Sequence, residues 1–173
     1  MTKLSITLTL FIALNLVSCS TNQSNTKLIL DNALEITVPD DFQYSKKKFN
    51  ENSIAGDIEH DFDYFANKDK SKEISFIKLP SMGANIDIKS LANITLLSSQ
   101  ADVISKREKN INNIKTYMIE YIGFDEGIKK YTRMIYYKLD NNFIVGNFSS
   151  SPENKDSWSK QSLEIINSIK LHK

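Results

Sequence analysis

"NFIVGNFSSSPENKDSWSKQSLEIINSIKL", residues 142 to 171, changes its period once, and that change decides the fold. The first part, Asn142 to Ser150, follows a turn-forming Asp140-Asn141 pair and is rich in aromatic and β-branched residues, the composition of a strand. From Trp158 onward, Trp158, Ser162, Ile165, Ile166 and Ile169 stand at i, i+4, i+7, i+8 and i+11, one stripe of an amphipathic helix. Pro152, after Ser151, suits a helix entry or a break just before one. A strand that runs into a one-sided helix needs a sheet for that helix to cover.

The preceding chain supplies the sheet. "VISKREK" (103–109) and "IKTYMIEYIG" (114–123) flank the turn-rich "NINN", and "KKYTRMIYYKL" (129–139) follows "FDEG". Polar links this short join neighbours of an antiparallel meander. Before them, "IDIKSLANITLLSSQ" (86–100) spaces Ile88, Leu91, Ala92 and Leu96 three or four apart and reads as a helix, with Asp87 or Ser90 as its cap. "KLILDNALEITVPDDF" (27–42) reads as a hairpin that ends at Pro39, and "DIEHDFDYF" (57–65) with "EISFIKL" (73–79) as a second hairpin joined by "NKDKSK". The basic run "SKKKF", with Lys46 to Lys48, reads as a solvated loop. Two hairpins, a helix, a meander of about four strands and a final helix make an α+β fold: an antiparallel sheet of about six strands with helices packed on it.

This order resembles the PsbP-like superfamily, with its DcrB- and Mog-type members. The carrying stretches are "LEITVPDDF" (34–42), similar to the family's strand ending in Val-Pro, an acidic residue and an aromatic, and the strand, polar loop and final helix that finish in Ser168-Ile169. The resemblance implies an α/β/α sandwich and carries no catalytic residue across.

The N-terminus reads as an address. "MTKLSITLTLFIALNLVSCS" has a cation at Lys3, an apolar stretch from Leu4 to Leu14 and a small-residue end, the layout of a secretory signal peptide. The apolar run falls short of the roughly 20 residues that span a bilayer. "LVSC", Leu16 to Cys19, resembles the lipobox of bacterial lipoproteins, which implies cleavage between Ser18 and Cys19 and acylation of the Cys19 thiol. Cys19 is the single cysteine of the chain, so no intramolecular disulfide is available. Two acyl chains, at about 0.8 kcal/mol per buried methylene, make a stable anchor. Ser20 in place of aspartate resembles the default that goes on to the outer membrane of a two-membrane envelope, facing the periplasm. The expected organisation is a signal peptide at 1–18, a lipidated flexible tether at 19–27 and one domain at 28–173, enough chain to bury about 68% of its unfolded surface.

Charge and motifs exclude several functions. Cleavage before Cys19 removes Lys3 and no acid, so 22 basic residues become 21, against 21 acidic, and the formal net charge is zero. A nucleic-acid partner, which calls for a basic surface, is not expected. The glycines at 56, 83, 123, 127 and 146 form no phosphate-binding or nucleophile-elbow motif, so no cofactor is expected. In "DIEHDFDYF", alternation sets His60, Phe62 and Tyr64 on an apolar face and Asp57, Glu59, Asp61 and Asp63 on a solvated one. At about 3.3 Å per residue those acids spread over roughly 20 Å and cannot share one metal ion. His60 is expected to be structural, and His172, next to last, to fray. With no nucleophile and base pair in view, an enzyme is not expected. The candidate partner or ligand surface is the tyrosine-rich pair of strands, with Tyr117, Tyr121, Tyr131, Arg133 and Tyr137. The function expected is a non-catalytic, membrane-anchored envelope lipoprotein that binds another envelope component, or a lipid, glycan or peptide held between helix and sheet.

Overall fold

A computed structural model describes residues 24–53, 56–80, 86–98, 101–125 and 127–172, with side chains left aside at 49–53 and 56–59. The signal segment, Ser18 and Cys19 lie outside the described residues.

The chain begins with a hairpin of β1 (Ser24–Ile29) and β2 (Leu34–Pro39). Its turn passes through Leu30, Asp31 and Asn32 at positive φ, a conformation that asparagine and aspartate tolerate. Then come β3 (Phe42–Ser53), β4 (Gly56–Asn67), β5 (Lys72–Pro80), α1 (Ile88–Ser98), β6 (Asp102–Ile111), β7 (Ile114–Asp125), β8 (Ile128–Leu139) and β9 (Asn142–Ser150). A 3₁₀ turn at Pro152–Asn154 leads into α2 (Lys155–Asn167), and β10 (Lys170–Leu171) closes the fold. The described strands form a seven-stranded antiparallel sheet in the order β3-β4-β5-β9-β8-β7-β6 and a three-stranded sheet in the order β1-β2-β10.

The α+β reading holds, but the large sheet has seven strands, not six, and a second sheet accompanies it. The added strand is β3, which contains Lys46 to Lys48, read from sequence as a loop. It pairs with β4 from Phe42↔Asn67 to Ser53↔Gly56. Three lysines are poor strand formers in the middle of a sheet and good ones at an edge, where charge blocks pairing with another chain. The stretch expected to be tether also overlaps the first strand. Ser24 to Lys27 belong to β1, although Asn25 to Leu28 are exposed, because the backbone ladder to β2 holds them without burial. His172, expected to fray, donates its backbone N–H to Ala33 O at 3.1 Å, beside the pairing of β10 with β2.

Each face of the large sheet has its own cover. On one, Phe65, Ile74, Phe76, Met118, Ile135, Ile144 and Phe148 pack under the three-stranded sheet and α2. The stripe on α2 is buried as its spacing demands, and Trp158 stacks on Phe42 with ring centroids 5.8 Å apart. On the other face, α1 sets Leu91 and Ala92 against Tyr117, Ile119, Tyr136 and Phe143. Asp87 caps that helix by accepting the Ser90 N–H at 2.7 Å. A helix of 11 residues is about 16 Å long, whereas seven strands at about 4.8 Å spacing are roughly 30 Å across. Helix α1 packs on β7 and β8, so the same face of β4 and β5 extends past it.

Candidate binding groove

Beside α1, whose Thr95 lines one end of it, the same face carries a row of small polar side chains. Alternation along β9 turns Phe143, Val145, Asn147 and Ser149 toward the α1 side, and the run changes from apolar to polar after Val145. In register, Asn147 lies opposite Ser75 of β5, and Ser149 lies between Glu73 of β5 and Thr132 of β8. Thr132 in turn faces Tyr121 of β7. Ser149 and Thr132 are only 5% and 6% exposed. Aromatic rings stand at both ends of the row: Phe62 and Tyr64 of β4, edge to face at 6.5 Å, and Tyr121 of β7.

The result is a groove of two adjoining hollows, of about 230 and 280 Å³, which share Asp125, Lys130, Asn147 and Ser149 as walls. Lys130 Nζ lies 2.8 Å from Glu73 Oε2 and 2.9 Å from Asp125 Oδ2. Tyr64 donates its hydroxyl to Glu73 Oε1, and Lys47 Nζ sits 3.2 Å from the Tyr64 ring centroid. Burial works to raise the Glu73 carboxyl, but the hydrogen bonds from Lys130 and Tyr64 outweigh it and hold the group below its ordinary range. Burial works to lower the Lys130 ammonium, and its two carboxylate partners raise it instead. Burial, reinforced by Glu73, pushes the Tyr64 phenol up. Asn147 Oδ1 is buried with no hydrogen-bond partner among the described residues.

At the opposite end of the strands, a larger cleft of about 570 Å³ opens between the start of α1 and the β6–β7 and β8–β9 ends. Its apolar lining includes Ile88, Ile114, Leu139 and Phe143. Glu108 stands at its rim, 2.6 Å from Lys89 and 3.5 Å from Lys115.

The tyrosines proposed from sequence do not meet. β7 and β8 pair with Glu120 opposite Arg133 and Tyr121 opposite Thr132, which puts odd positions of one strand on the face of even positions of the other. Tyr117 and Tyr121 therefore lie on the α1 face, with Tyr121 in the groove, while Tyr131, Arg133 and Tyr137 lie beneath α2 at 0%, 2% and 1% exposure. Arg133 is a structural tie: it donates to Ser159 O at 2.6 Å and Ser162 Oγ at 2.7 Å, and pairs with Glu120 at 3.1 Å. "DIEHDFDYF" is likewise inverted. Asp63 shares the inner face with Phe65 and is 2% exposed, whereas Phe62 and Tyr64 line the groove and His60 is half-buried. Phe65 reverses the assignment, because one large ring at the centre of the sheet outweighs the acid beside it once that acid has hydrogen-bond donors. The groove residues Ser75, Lys130, Thr132, Asn147 and Ser149 went unread in the sequence. The local signal was the polar Asn147 and Ser149 continuing the face begun by Phe143 and Val145.

No family model matches the chain, and no curated protein matches it in sequence. Solved structures share its fold. The solution structure of cyanobacterial PsbP (CyanoP) from Synechocystis sp. PCC 6803 is similar with a TM-score of 0.61 at 12% identity, over 89% of this chain and 95% of that one. A Bacteroides thetaiotaomicron structure gives 0.52 at 13% identity, over 87% of this chain and 49% of its own. PA94 of Pseudomonas aeruginosa, described as a protein of unknown function and putative regulator, gives 0.50 at 10% identity, over 83% and 94%. The fold is PsbP-like, as the stretches 34–42 and 142–171 implied. No helix among the described residues is long and apolar enough to cross a membrane.

Proposed function

We propose that this chain is an exported envelope lipoprotein, held to a membrane by acylated Cys19, that works by binding another envelope component and not by catalysis. In a two-membrane envelope, Ser20 favours the outer membrane with the domain facing the periplasm. The observation that carries the reading is the nearness of the lipobox to the first strand. Cys19 stands five residues before Ser24, which begins β1. At no more than about 3.6 Å per residue that leash reaches roughly 18 Å, so the domain rides close to the bilayer surface. Metabolic labelling with a fatty-acid analogue tests the anchor: the wild-type protein takes up label in the membrane fraction, and Cys19→Ala does not. Label on the variant refutes the anchor. For the accessory role, in-cell cross-linking that recovers no reproducible envelope partner, with an unchanged envelope on deletion, counts against it.

The groove and the cleft favour a second reading, a lipoprotein that holds a small ligand between helix and sheet. Thermal-shift measurement is the test, because a ligand at 100 times its Kd adds about 2.7 kcal/mol of stability.

A further inference from the structure

We infer that the groove over β4, β5, β9, β8 and β7 is a saccharide site, taking a neutral glycan of at least two sugar units. The inference rests on the small-ligand reading and names the ligand class and the site.

The groove's own chemistry excludes the alternatives. Its cations are Lys47 and Lys130, and its anions are Glu73 and Asp125. Lys130 is already bonded to both carboxylates, and Lys47 lies on the Tyr64 ring. The balance leaves no net charge to recruit an anion or a cation. A hydrocarbon chain fits no better: it would strip water from the Glu73, Lys130 and Asp125 network and return no hydrogen bond, a cost of about 1–3 kcal/mol for each group left unpaired. A ligand rich in hydroxyls reverses that account, since each hydroxyl both donates and accepts. Asn147, which lines both hollows, marks the point of demand: its Oδ1 is a buried acceptor with no donor among the described residues. A turn of the Asn147 amide toward the hollow brings that acceptor to a sugar hydroxyl, which supplies the donor.

The rings complete the site. Phe62 and Tyr64 wall one hollow, and Tyr121 walls the other. The C–H face of a pyranose is apolar and packs on such rings while its hydroxyls reach the polar floor. Each hollow, at about 230 or 280 Å³, holds roughly eight or nine water volumes of about 30 Å³, room for one ring. Gly123, opposite Lys130 in the ladder, adds no side chain to the second hollow. The network of Tyr64, Glu73, Lys130 and Asp125 fixes the polar groups in advance, so less ordering is left for the ligand to drive.

The test uses the full mature lipoprotein in phosphatidylcholine nanodiscs. Neutral mono-, di- and trisaccharides of hexose and N-acetylhexosamine are titrated by calorimetry and thermal shift. At least one di- or trisaccharide is expected to bind, tighter than its monosaccharide. Phe62→Ala removes a half-buried ring of the first hollow that belongs to neither core cluster, and Asn147→Ala removes the unpaired acceptor. Each is expected to weaken binding about tenfold or more, with both variants still melting cooperatively. Full-affinity binding in both variants places the sugar elsewhere and overturns the assignment. Silence of the whole panel overturns it too. A fatty acid added in parallel separates the readings: if it raises the melting temperature while the sugars are silent, the small-ligand reading stands and the saccharide site falls. Silence of both sinks the two together.

Discussion

Asp63 Oδ2 accepts the backbone N–H of Leu30 at 2.7 Å, across 33 residues of sequence. This bond ties the turn of the β1–β2 hairpin to the inner face of β4, and so joins the small sheet to the large one. The other carboxylate oxygen accepts the Tyr44 hydroxyl, and burial, with that bond, pushes the Tyr44 phenol up to about 12. An acid that alternation assigned to solvent is thus the polar link between two sheets.

Asp63→Ala removes the acceptor and leaves the Leu30 N–H buried and unpaired. A lost charged acceptor of this kind costs about 2–3 kcal/mol, which at roughly 2–4 °C per kcal/mol lowers the melting temperature by about 5–10 °C. Asp63→Asn keeps one acceptor oxygen and loses less. Calorimetric melting of the three proteins is the check, and an unchanged melting temperature for the alanine variant would sink the tie.

Arg133 is held under α2 by Ser159 and Ser162 and faces Glu120, which also meets Arg107 at 2.8 Å. Truncation to Arg133→Ala leaves Glu120 with Arg107 and the Tyr131 hydroxyl but strips Ser159 and Ser162 of their buried donor, a loss of about 1–3 kcal/mol. Lysine lacks the fork that reaches two serines and a carboxylate together, so Arg133→Lys recovers only part of the loss. Urea unfolding midpoints decide, and a lysine variant as stable as wild type would refute the fork.

The groove network makes stability depend on pH at both ends of the scale. Glu73 titrates below its ordinary 4.5, so its contribution is complete above that value and is lost as pH falls through the lower folded-state pKa. Lys130 titrates above its ordinary 10.5, so its share is complete below that value and is lost as pH rises through the higher folded-state pKa. Melting temperature against pH should fall at both limits, and Glu73→Gln should flatten the acid limb. An acid limb unchanged in that variant assigns the loss to other carboxylates.

Gly146 is a packing position. It lies opposite Phe76 and Ile135, and a Cβ there meets Ile135 Cγ1 and Phe76 Cε1, each at 2.8 Å. Gly146→Ala overpacks the core and costs about 1–3 kcal/mol. Pairing the change with Ile135→Val should relieve part of it, and a double-mutant cycle in urea measures the coupling.

Legibility followed the range of the interactions. The α2 stripe, the Asp87 cap and the turn at Asp140-Asn141 were readable because each depends on residues within a few positions of one another. β3 was missed because its lysines look like loop until the β4 ladder pairs them. β1 was missed in part because its outer residues are held by backbone hydrogen bonds and bury little. The groove was out of reach for the same reason on a larger scale: its floor comes from β5, β8 and β9, and only registry places Ser75, Asn147, Ser149 and Thr132 side by side.

Sequence alone determined the helix and strand periods, the order of the elements apart from β3 and β10, and the likeness to the PsbP-like outline, because a period of 3.6 or 2 is a local property of the chain. It also divided each strand into two faces. Only the tertiary structure decided which face turned inward. On β4 the choice rested on Phe65 filling the core and on Leu30 and Tyr44 satisfying Asp63, partners distant in sequence. Between β7 and β8 it rested on a register that set Glu120 against Arg133, and a slip of one residue would have joined the tyrosines that the fold keeps apart.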